Sequence, residues 1–144
     1  MSILQQELIL PNGSRLSNRI AKSAMSENAS NKKHEPTPTL INAYKIWAQG
    51  GAGLLITGNI MIDSKALGEP RNVIVEDDKN FALLKAWADT VKGTETHLWA
   101  QINHPGRQAM EPINSELLAP SAVPLKVGGR KNATKKIPKA LLDN

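Results

Sequence analysis

The spacing of apolar residues predicts two helices in this chain. Between Thr39 and Gln49 apolar residues recur every three or four positions, and Gly50 and Gly51 end the pattern. A second pattern of the same period covers residues 79–92, with Asp78 as its expected N-cap and Gly93 as its stop. The buried stripes are predicted to be Leu40, Tyr44, Trp47 and Ala48 in the first helix, and Phe81, Leu84, Trp87 and Val91 in the second.

Short apolar runs between polar stretches predict the strands. Three runs stand out, at 19–25, 53–58 and 97–103. The run at 53–58 is almost wholly apolar, which is typical of a strand buried on both faces in a parallel sheet. A Pro11-Asn12-Gly13 turn between short apolar runs predicts a β-hairpin near the start of the chain.

Strands that alternate with helices predict an α/β fold with a parallel sheet. Long loops follow the predicted strands, at 26–38, 59–75 and after Asn103, whereas the loops after the helices are short. In α/β architectures the loops at the carboxyl ends of the strands build the site. We therefore expect one shared mouth formed by 23–26, 58–59 and 101–104, with a final short extended piece within 117–124.

Composition excludes several classes of protein. The 144 residues are 40% apolar and 22% charged, which is ordinary for a globular domain. Cysteine is absent, so a disulfide scaffold, a thiol nucleophile and a cysteine-ligated metal are excluded. His34 and His97 show no metal-ligand spacing, and we expect no metal site. No apolar run approaches the roughly 18 residues of a membrane span, and no secretory signal is visible, so a cytoplasmic protein without membrane partners is expected.

The net charge of +5 arises from the last part of the chain. Residues 126–144 hold six basic side chains against Asp143, whereas the first 125 residues hold 12 basic and 12 acidic ones. We therefore divide the chain into a domain at 1–125 and a basic segment at 126–144. That segment could neutralise phosphates, but no aromatic residue lies between its lysines to stack on bases. Nucleic-acid binding is therefore the weakest hypothesis, and we expect no nucleic-acid partner.

Five segments resemble the Old Yellow Enzyme family of FMN-dependent ene-reductases and NADH:flavin oxidoreductases. The resemblance lies at Leu10-Pro-Asn-Gly, at Asn18-Arg-Ile-Ala-Lys-Ser-Ala-Met-Ser-Glu, at 50–59, at Gln101-Ile-Asn-His-Pro-Gly-Arg-Gln, and at Leu118-Ala-Pro-Ser-Ala-Val. They follow the family's order and spacing. The resemblance implies the N-terminal part of a (β/α)8 TIM barrel: about three parallel strands with two helices, preceded by a β-hairpin.

The resemblance also implies an FMN site, with NAD(P)H as the reductant and a small molecule as the substrate. Ser26 occupies the position near the O4 side of the flavin, and Asn59 ends the second strand. Gln101 matches the glutamine whose amide, both donor and acceptor, pairs with the pyrimidine edge of the ring. The residues expected to bind the cofactor are Ser23, Ala24, Met25, Ser26, Asn59 and Gln101.

Two positions depart from the family pattern. Ala24 stands where many members have proline, and Asn28 stands where some members have an aromatic residue that contacts substrate. The resemblance therefore leaves the electron acceptor open.

A TIM barrel usually needs about 250 residues. The family's substrate-anchoring histidine pair or histidine–asparagine pair, its proton-donating tyrosine and its phosphate-binding arginine lie downstream of the matched segments. We accordingly expect no catalytic residue in this chain, and structural roles for His104 and Arg107. We also expect the isolated chain neither to retain FMN tightly nor to turn over.

A non-catalytic alternative follows from the open edges of a three-stranded sheet. In that case the chain aggregates, forms a homo-oligomer, or associates with a complementing chain that supplies the missing strands. The flavin hypothesis makes one geometric demand, which is that Ser26, Asn59 and Gln101 border a common hollow.

Overall fold

The computed structural model describes residues 2–123 and the backbone of Lys139–Ala140. A hairpin opens the fold: β1 (Leu8–Ile9) pairs antiparallel with β2 (Arg15–Leu16). The turn closes where the Ser14 carbonyl accepts from the Leu10 N–H at 2.8 Å, and Gly13 adopts a φ of +84°. The predicted hairpin is confirmed, with shorter strands.

A parallel sheet centred on one strand follows the hairpin. Its strands are β3 (Ala21–Lys22), β4 (Leu54–Met61), β5 (Val73–Ile74) and β6 (His97–Asn103). β6 pairs with β4 along its whole length, from Leu54 to Met61. β3 and β5 therefore share the other edge of β4, β3 at its start and β5 at its end.

Helix α1 (Pro38–Gln49) forms as the pattern predicts. Thr37 caps it, because its hydroxyl oxygen accepts from the Leu40 N–H at 3.2 Å, and Pro38 fits the first turn, where no backbone donor is needed. Leu40, Tyr44 and Ala48 are buried, and Trp47 is partly buried beside them. The predicted apolar stripe of this helix is confirmed.

Helix α2 (Phe81–Ala88) begins later and ends sooner than predicted. Asp78 does not cap it; the N-cap is Asn80, whose side chain makes no capping bond. The Asp77 carboxylate instead accepts from the Lys79 N–H at 3.0 Å and forms a separate turn before the helix. A 3-10 turn at Asp89–Val91 continues α2, and Phe81, predicted to be buried, is exposed.

The core lies between the sheet and the two helices. Leu55 and Ile60 of β4 pack against Tyr44 and Trp87, all of them buried. The Tyr44 ring meets the Trp87 ring edge to face, with centroids 5.2 Å apart. Trp99 lies on β6 with 41% of its surface exposed, because no described element covers that face of the strand.

The strand boundaries differ from the prediction in three places. The first parallel strand ends at Lys22 rather than Met25, because the chain leaves the sheet there. β4 continues to Met61, so Asn59 lies inside a strand rather than in a loop. β5 forms within the stretch that was predicted as a loop, because Val73 and Ile74 find a free edge at the end of β4.

Short elements complete the described part of the chain. A 3-10 turn covers Gly106–Gln108, and β7 (Leu118–Ala119) pairs in parallel with β8 (Lys139–Ala140). β7 is the short extended piece expected near this point. The rest of the basic segment at 126–144 lies outside the described residues. Neither α1 nor α2, nor any 3-10 turn of the described part, has the length and apolar character that a membrane crossing requires.

Asn18 ties the hairpin to the start of β4. Its side chain donates to the Gly51 carbonyl at 2.7 Å and accepts from the Gly53 N–H at 2.9 Å. We expect Asn18→Ala to lower the free energy of unfolding by about 1–3 kcal/mol, because the Gly51 carbonyl loses its donor and the Gly53 N–H keeps only its bond to the Ile20 carbonyl. Chemical denaturation measures the change. Asn42→Ala, on the exposed side of α1, is the matched control and should cost nothing; equal losses in the two variants would contradict this role.

Candidate functional site

A bulge in β4 arranges the residues at the carboxyl end of the sheet. The register of β4 against β6 pairs Ile56 with Trp99, then shifts, and resumes with Asn59 opposite Gln101. The Thr57 hydroxyl accepts from the Gln101 N–H at 2.9 Å and donates to the Gly58 carbonyl at 2.8 Å. A side chain thus replaces part of the backbone ladder, and the bulge redirects the side chains that follow it.

The bulge brings three amide side chains together. Asn59 Oδ1 accepts from Gln101 Nε2 at 2.5 Å and from Asn103 Nδ2 at 2.8 Å. All three residues are half-buried and share one face of the sheet. Gln101 Oε1 accepts no hydrogen bond from the described residues. This amide cluster therefore holds Gln101 in place while leaving it an acceptor and a second N–H to offer.

The segment 23–26 follows β3 and lies beside the bulge. A Cβ on Gly58 would lie 2.5 Å from the Met25 carbonyl oxygen and 3.0 Å from the Ser26 Cα, so the two backbones are in close contact. Ser26 and Asn59 line the same small cavity, at whose wall Trp87 also lies. Gln101 is not among the residues that line this cavity; it is joined to Asn59 by the hydrogen bond between their side chains. The common hollow expected for Ser26, Asn59 and Gln101 therefore stays a prediction.

The segment 23–26 presents main-chain groups rather than a strand edge. Met25 and Ser23 are exposed, and Ala24 and Ser26 are half-buried. The N–H groups of Ala24, Met25 and Ser26 donate to no other residue in 2–123. Asn28 follows with a φ of +50°, a conformation that asparagine tolerates and most side chains do not.

Charged residues beneath this segment were not singled out by the sequence analysis. The Lys22 ammonium lies 3.1 Å from Glu27 Oε1, and the two side chains are only 11% and 16% exposed. The same ammonium donates to the Ser23 carbonyl at 3.1 Å and to the Ile56 carbonyl at 3.0 Å. The sequence signal that could have identified them is the presence of two charged residues, Lys22 and Glu27, at the ends of a run of small and apolar residues.

Tyr44 completes this buried cluster. Its hydroxyl donates to Glu27 Oε1 at 2.6 Å and accepts from the Gly58 N–H at 3.2 Å. Burial, together with the hydrogen bond to the Glu27 carboxylate, raises the pKa of Tyr44 above its ordinary value. The phenol therefore keeps its proton and remains a donor. The Lys22 ammonium also lies 5.2 Å from the centroid of the Tyr44 ring and 5.0 Å from that of Trp47.

The long loops after the strands support one another. Arg71 Nε donates to the Ser30 carbonyl at 2.7 Å, and the Ile74 N–H donates to the His34 carbonyl at 3.1 Å. Asn114 holds the loop after β4 by accepting from the Leu67 N–H at 2.6 Å and donating to its carbonyl at 2.9 Å. The carboxyl-end mouth is thus built by three mutually bonded loops.

The histidines take local roles. His104 is exposed, and its Nδ1 accepts from the Gly106 N–H at 3.1 Å, which closes a turn. His34 Nδ1 lies 3.1 Å from the Asn72 carbonyl oxygen. Among the described side chains, no three histidines or carboxylates group as metal ligands would.

The chain is similar to flavin oxidoreductases in sequence. A family model described as the NADH:flavin oxidoreductase / NADH oxidase family matches residues 10–142. An NADH-dependent flavin oxidoreductase of Hypocrea jecorina is 35% identical over 127 residues, which are 81% of this chain and 31% of that protein. An NADH oxidase of Thermoanaerobacter brockii is 34% identical over 113 residues, or 74% of this chain and 17% of that protein. The chain thus spans less than a third of these relatives.

Solved structures show the same fold. An old yellow enzyme homologue from Zymomonas mobilis superposes with a TM-score of 0.80 at 22% identity, over 97% of this chain and 40% of that one. Morphinone reductase in complex with tetrahydroNAD superposes with a TM-score of 0.77 at 22% identity, over 98% of this chain and 41% of that one. These neighbours are TIM barrels, so the expected partial barrel is confirmed.

Gly58 is the position where the site tolerates no side chain. We expect Gly58→Ala to lower the free energy of unfolding by about 1–3 kcal/mol, because the new methyl would overlap the Met25 carbonyl and the Glu27 carboxylate. Gly68→Ala is the matched control, since a Cβ there meets only ordinary contacts of 3.4 Å or more. Thermal or urea unfolding compares the two. A Gly58→Ala chain as stable as the control would contradict the close approach.

Proposed function

Because the chain belongs to the NADH:flavin oxidoreductase / NADH oxidase family, we propose that it forms one side of an FMN site in an enzyme of the Old Yellow Enzyme type. That enzyme passes a hydride from NAD(P)H, by way of FMN, to a small-molecule acceptor such as an activated alkene. The observation that supports this most directly is the amide cluster, in which Asn59 orients Gln101 at the carboxyl end of the sheet.

The residues present fit the flavin in their donor and acceptor chemistry. The pyrimidine edge of a flavin carries both carbonyl oxygens and an N–H, and Gln101 retains both an acceptor and a donor. The main-chain N–H groups of 24–26 are free of other described partners and lie beside this cluster. These donors and acceptors would bind and orient the ring, and FMN when bound would supply the hydride chemistry.

Each proposed contact has a distinct part. Gln101 would hold the pyrimidine edge of the flavin, Asn59 fixes the orientation of Gln101, and the Ser26 hydroxyl would donate to the O4 side. The backbone of 23–25 would lie against the ring. Substrate contacts and the phosphate grip are assigned to other parts of the family protein, because this chain matches only about a third of its relatives.

The test is a titration of the chain with FMN, in which quenching of the flavin fluorescence reports binding. We expect weak binding that Gln101→Leu weakens by about tenfold, since one or two hydrogen bonds to the ring are lost. Gln49→Leu is the matched control, because Gln49 is exposed at the end of α1, before β4 begins. Equal affinities for the two variants would contradict the proposal.

The same preparation tests how complete the site is. We expect FMN to be lost on desalting and NADH not to be consumed, since the charge-assisted phosphate contacts lie elsewhere in the family protein. A chain that keeps one equivalent of flavin and oxidises NADH would overturn this expectation.

A second candidate is association through the exposed side of β6. Trp99 and Ile102, on opposite faces of β6, are 41% and 60% exposed, and within the described residues the outer edge of β6 has no partner. Unpaired strand edges and solvent-exposed apolar surfaces favour association with another chain. A second copy, or a chain supplying the neighbouring strands, would cover them.

Light scattering after gel filtration measures this association. We expect the chain to associate as its concentration rises, and Ile102→Glu to reduce association because it puts a charge on the apolar face. Phe81→Glu changes an exposed apolar residue on α2 and should leave association unchanged. If both variants behave like the wild type, or both reduce association alike, β6 is not the contact surface.

A further inference from the structure

We propose that Lys22 and Glu27 are positioning residues of the flavin site, acting with Tyr44 from beneath the ring-binding segment. They set the path of 23–26 and the shape of the bulge, and so determine where Ser26 and Asn59 point. The functional meaning rests on the proposed FMN site. The geometry rests on contacts within this chain alone.

The Lys22 ammonium group bridges the backbone of β4, the backbone of the 23–26 segment and the Glu27 side chain. The ammonium group has four oxygen neighbours: the Ser23 carbonyl, the Ile56 carbonyl and Glu27 Oε1 at 3.0–3.1 Å, and the Tyr44 hydroxyl at 3.5 Å. The regular pairing of β3 with β4 stops at Lys22. The side chain therefore holds β3 to β4 just where the backbone ladder ends and the ring-binding segment starts.

Glu27 closes the other end of that segment. Its Oε1 receives both the Tyr44 hydroxyl and the Lys22 ammonium, so the segment between Lys22 and Glu27 is pinned at both ends. The carboxylate also lies against Gly58, where a Cβ would stand 2.5 Å from Oε2. The segment cannot move toward β4 without a clash, and it cannot move away without breaking the ion pair.

Tyr44 carries the effect to the bulge. Its hydroxyl oxygen accepts from the Gly58 N–H, which is the donor released by the shift in register. The Thr57 hydroxyl serves the other side of the bulge by accepting from the Gln101 N–H. The bulge is thus held from both sides, and Asn59 follows it directly.

The burial of these charges separates them from ordinary ion pairs of the chain. Lys85 and Asp89 form a pair that is 51% and 34% exposed, and solvent screens it. Lys22 and Glu27 are largely removed from water, where desolvation offsets most of the attraction and an apolar pair would hold the fold as well. A buried pair with full hydrogen bonding defines one geometry more sharply than apolar packing does.

The experiment compares Lys22→Met, Glu27→Gln and the surface control Lys85→Met in the 144-residue chain. Nuclear magnetic resonance follows the side-chain amide signals of Asn59 and Gln101 and the hydrogen exchange of the Gly58 amide, without added flavin. We expect both buried-pair variants to shift these amide signals and to speed Gly58 exchange at least tenfold, while Lys85→Met changes neither. Glu27→Gln is isosteric, so it carries the test if Lys22→Met does not fold.

Titration with FMN then connects positioning to binding. We expect both variants to weaken FMN binding about tenfold relative to Lys85→Met. If neither the wild type nor any variant binds FMN, the proposed function fails. The amide signals of Asn59 and Gln101 still decide the positioning role in that case. If the variants melt earlier but keep unchanged Asn59 and Gln101 signals and unchanged Gly58 exchange, the pair is merely structural and the inference is overturned.

Discussion

The bulge at Thr57–Gly58 is the constraint on which the candidate site depends. Side chains of a regular strand alternate between its two faces, so one residue more or fewer exchanges the faces for everything that follows. The inserted irregularity lets Leu55 and Ile60 both face the helices, while Asn59 faces the same side as Gln101. In a regular strand, Leu55 and Ile60 would lie on opposite faces. Either Asn59 would then face the core, or it would lie on the face opposite Gln101. The packing of the barrel wall and the chemistry of its mouth therefore depend on the same backbone feature.

Much of the fold was predictable, because it follows from local patterns. The hairpin, α1 and β6 appear where turn residues and apolar spacing indicate them. The limits of β4 were not predictable in this way, since Thr57-Gly58-Asn59 has the composition of a turn and only its pairing with β6 makes it a strand. The short strand β5 and the missing cap at Asp78 likewise depend on partners distant in the chain.

The candidate site was predictable in its location but not in its support. Strand carboxyl ends and a family resemblance point to Ser26, Asn59 and Gln101. In the structure Ser26 and Asn59 line one small cavity, and Gln101 is hydrogen-bonded to Asn59. Their roles toward FMN stay predictions. Lys22 and Glu27 escaped notice because a lysine and a glutamate five residues apart usually face solvent, and only the approach of Tyr44 and Gly58 buries them here. Side chains that support a site from behind carry weaker sequence signals than those that line it.

The alanine at position 24 alters what the mouth of this barrel offers to a ligand. A proline, which many family members carry at this point, has no amide proton, whereas Ala24 has one that no described residue takes up. A flavin ring bound against 23–26 would therefore have one more backbone N–H available as a hydrogen-bond donor. In the proposed FMN site, a hydrogen bond from this amide would strengthen as negative charge accumulates on the ring, and it would therefore favour the reduced flavin.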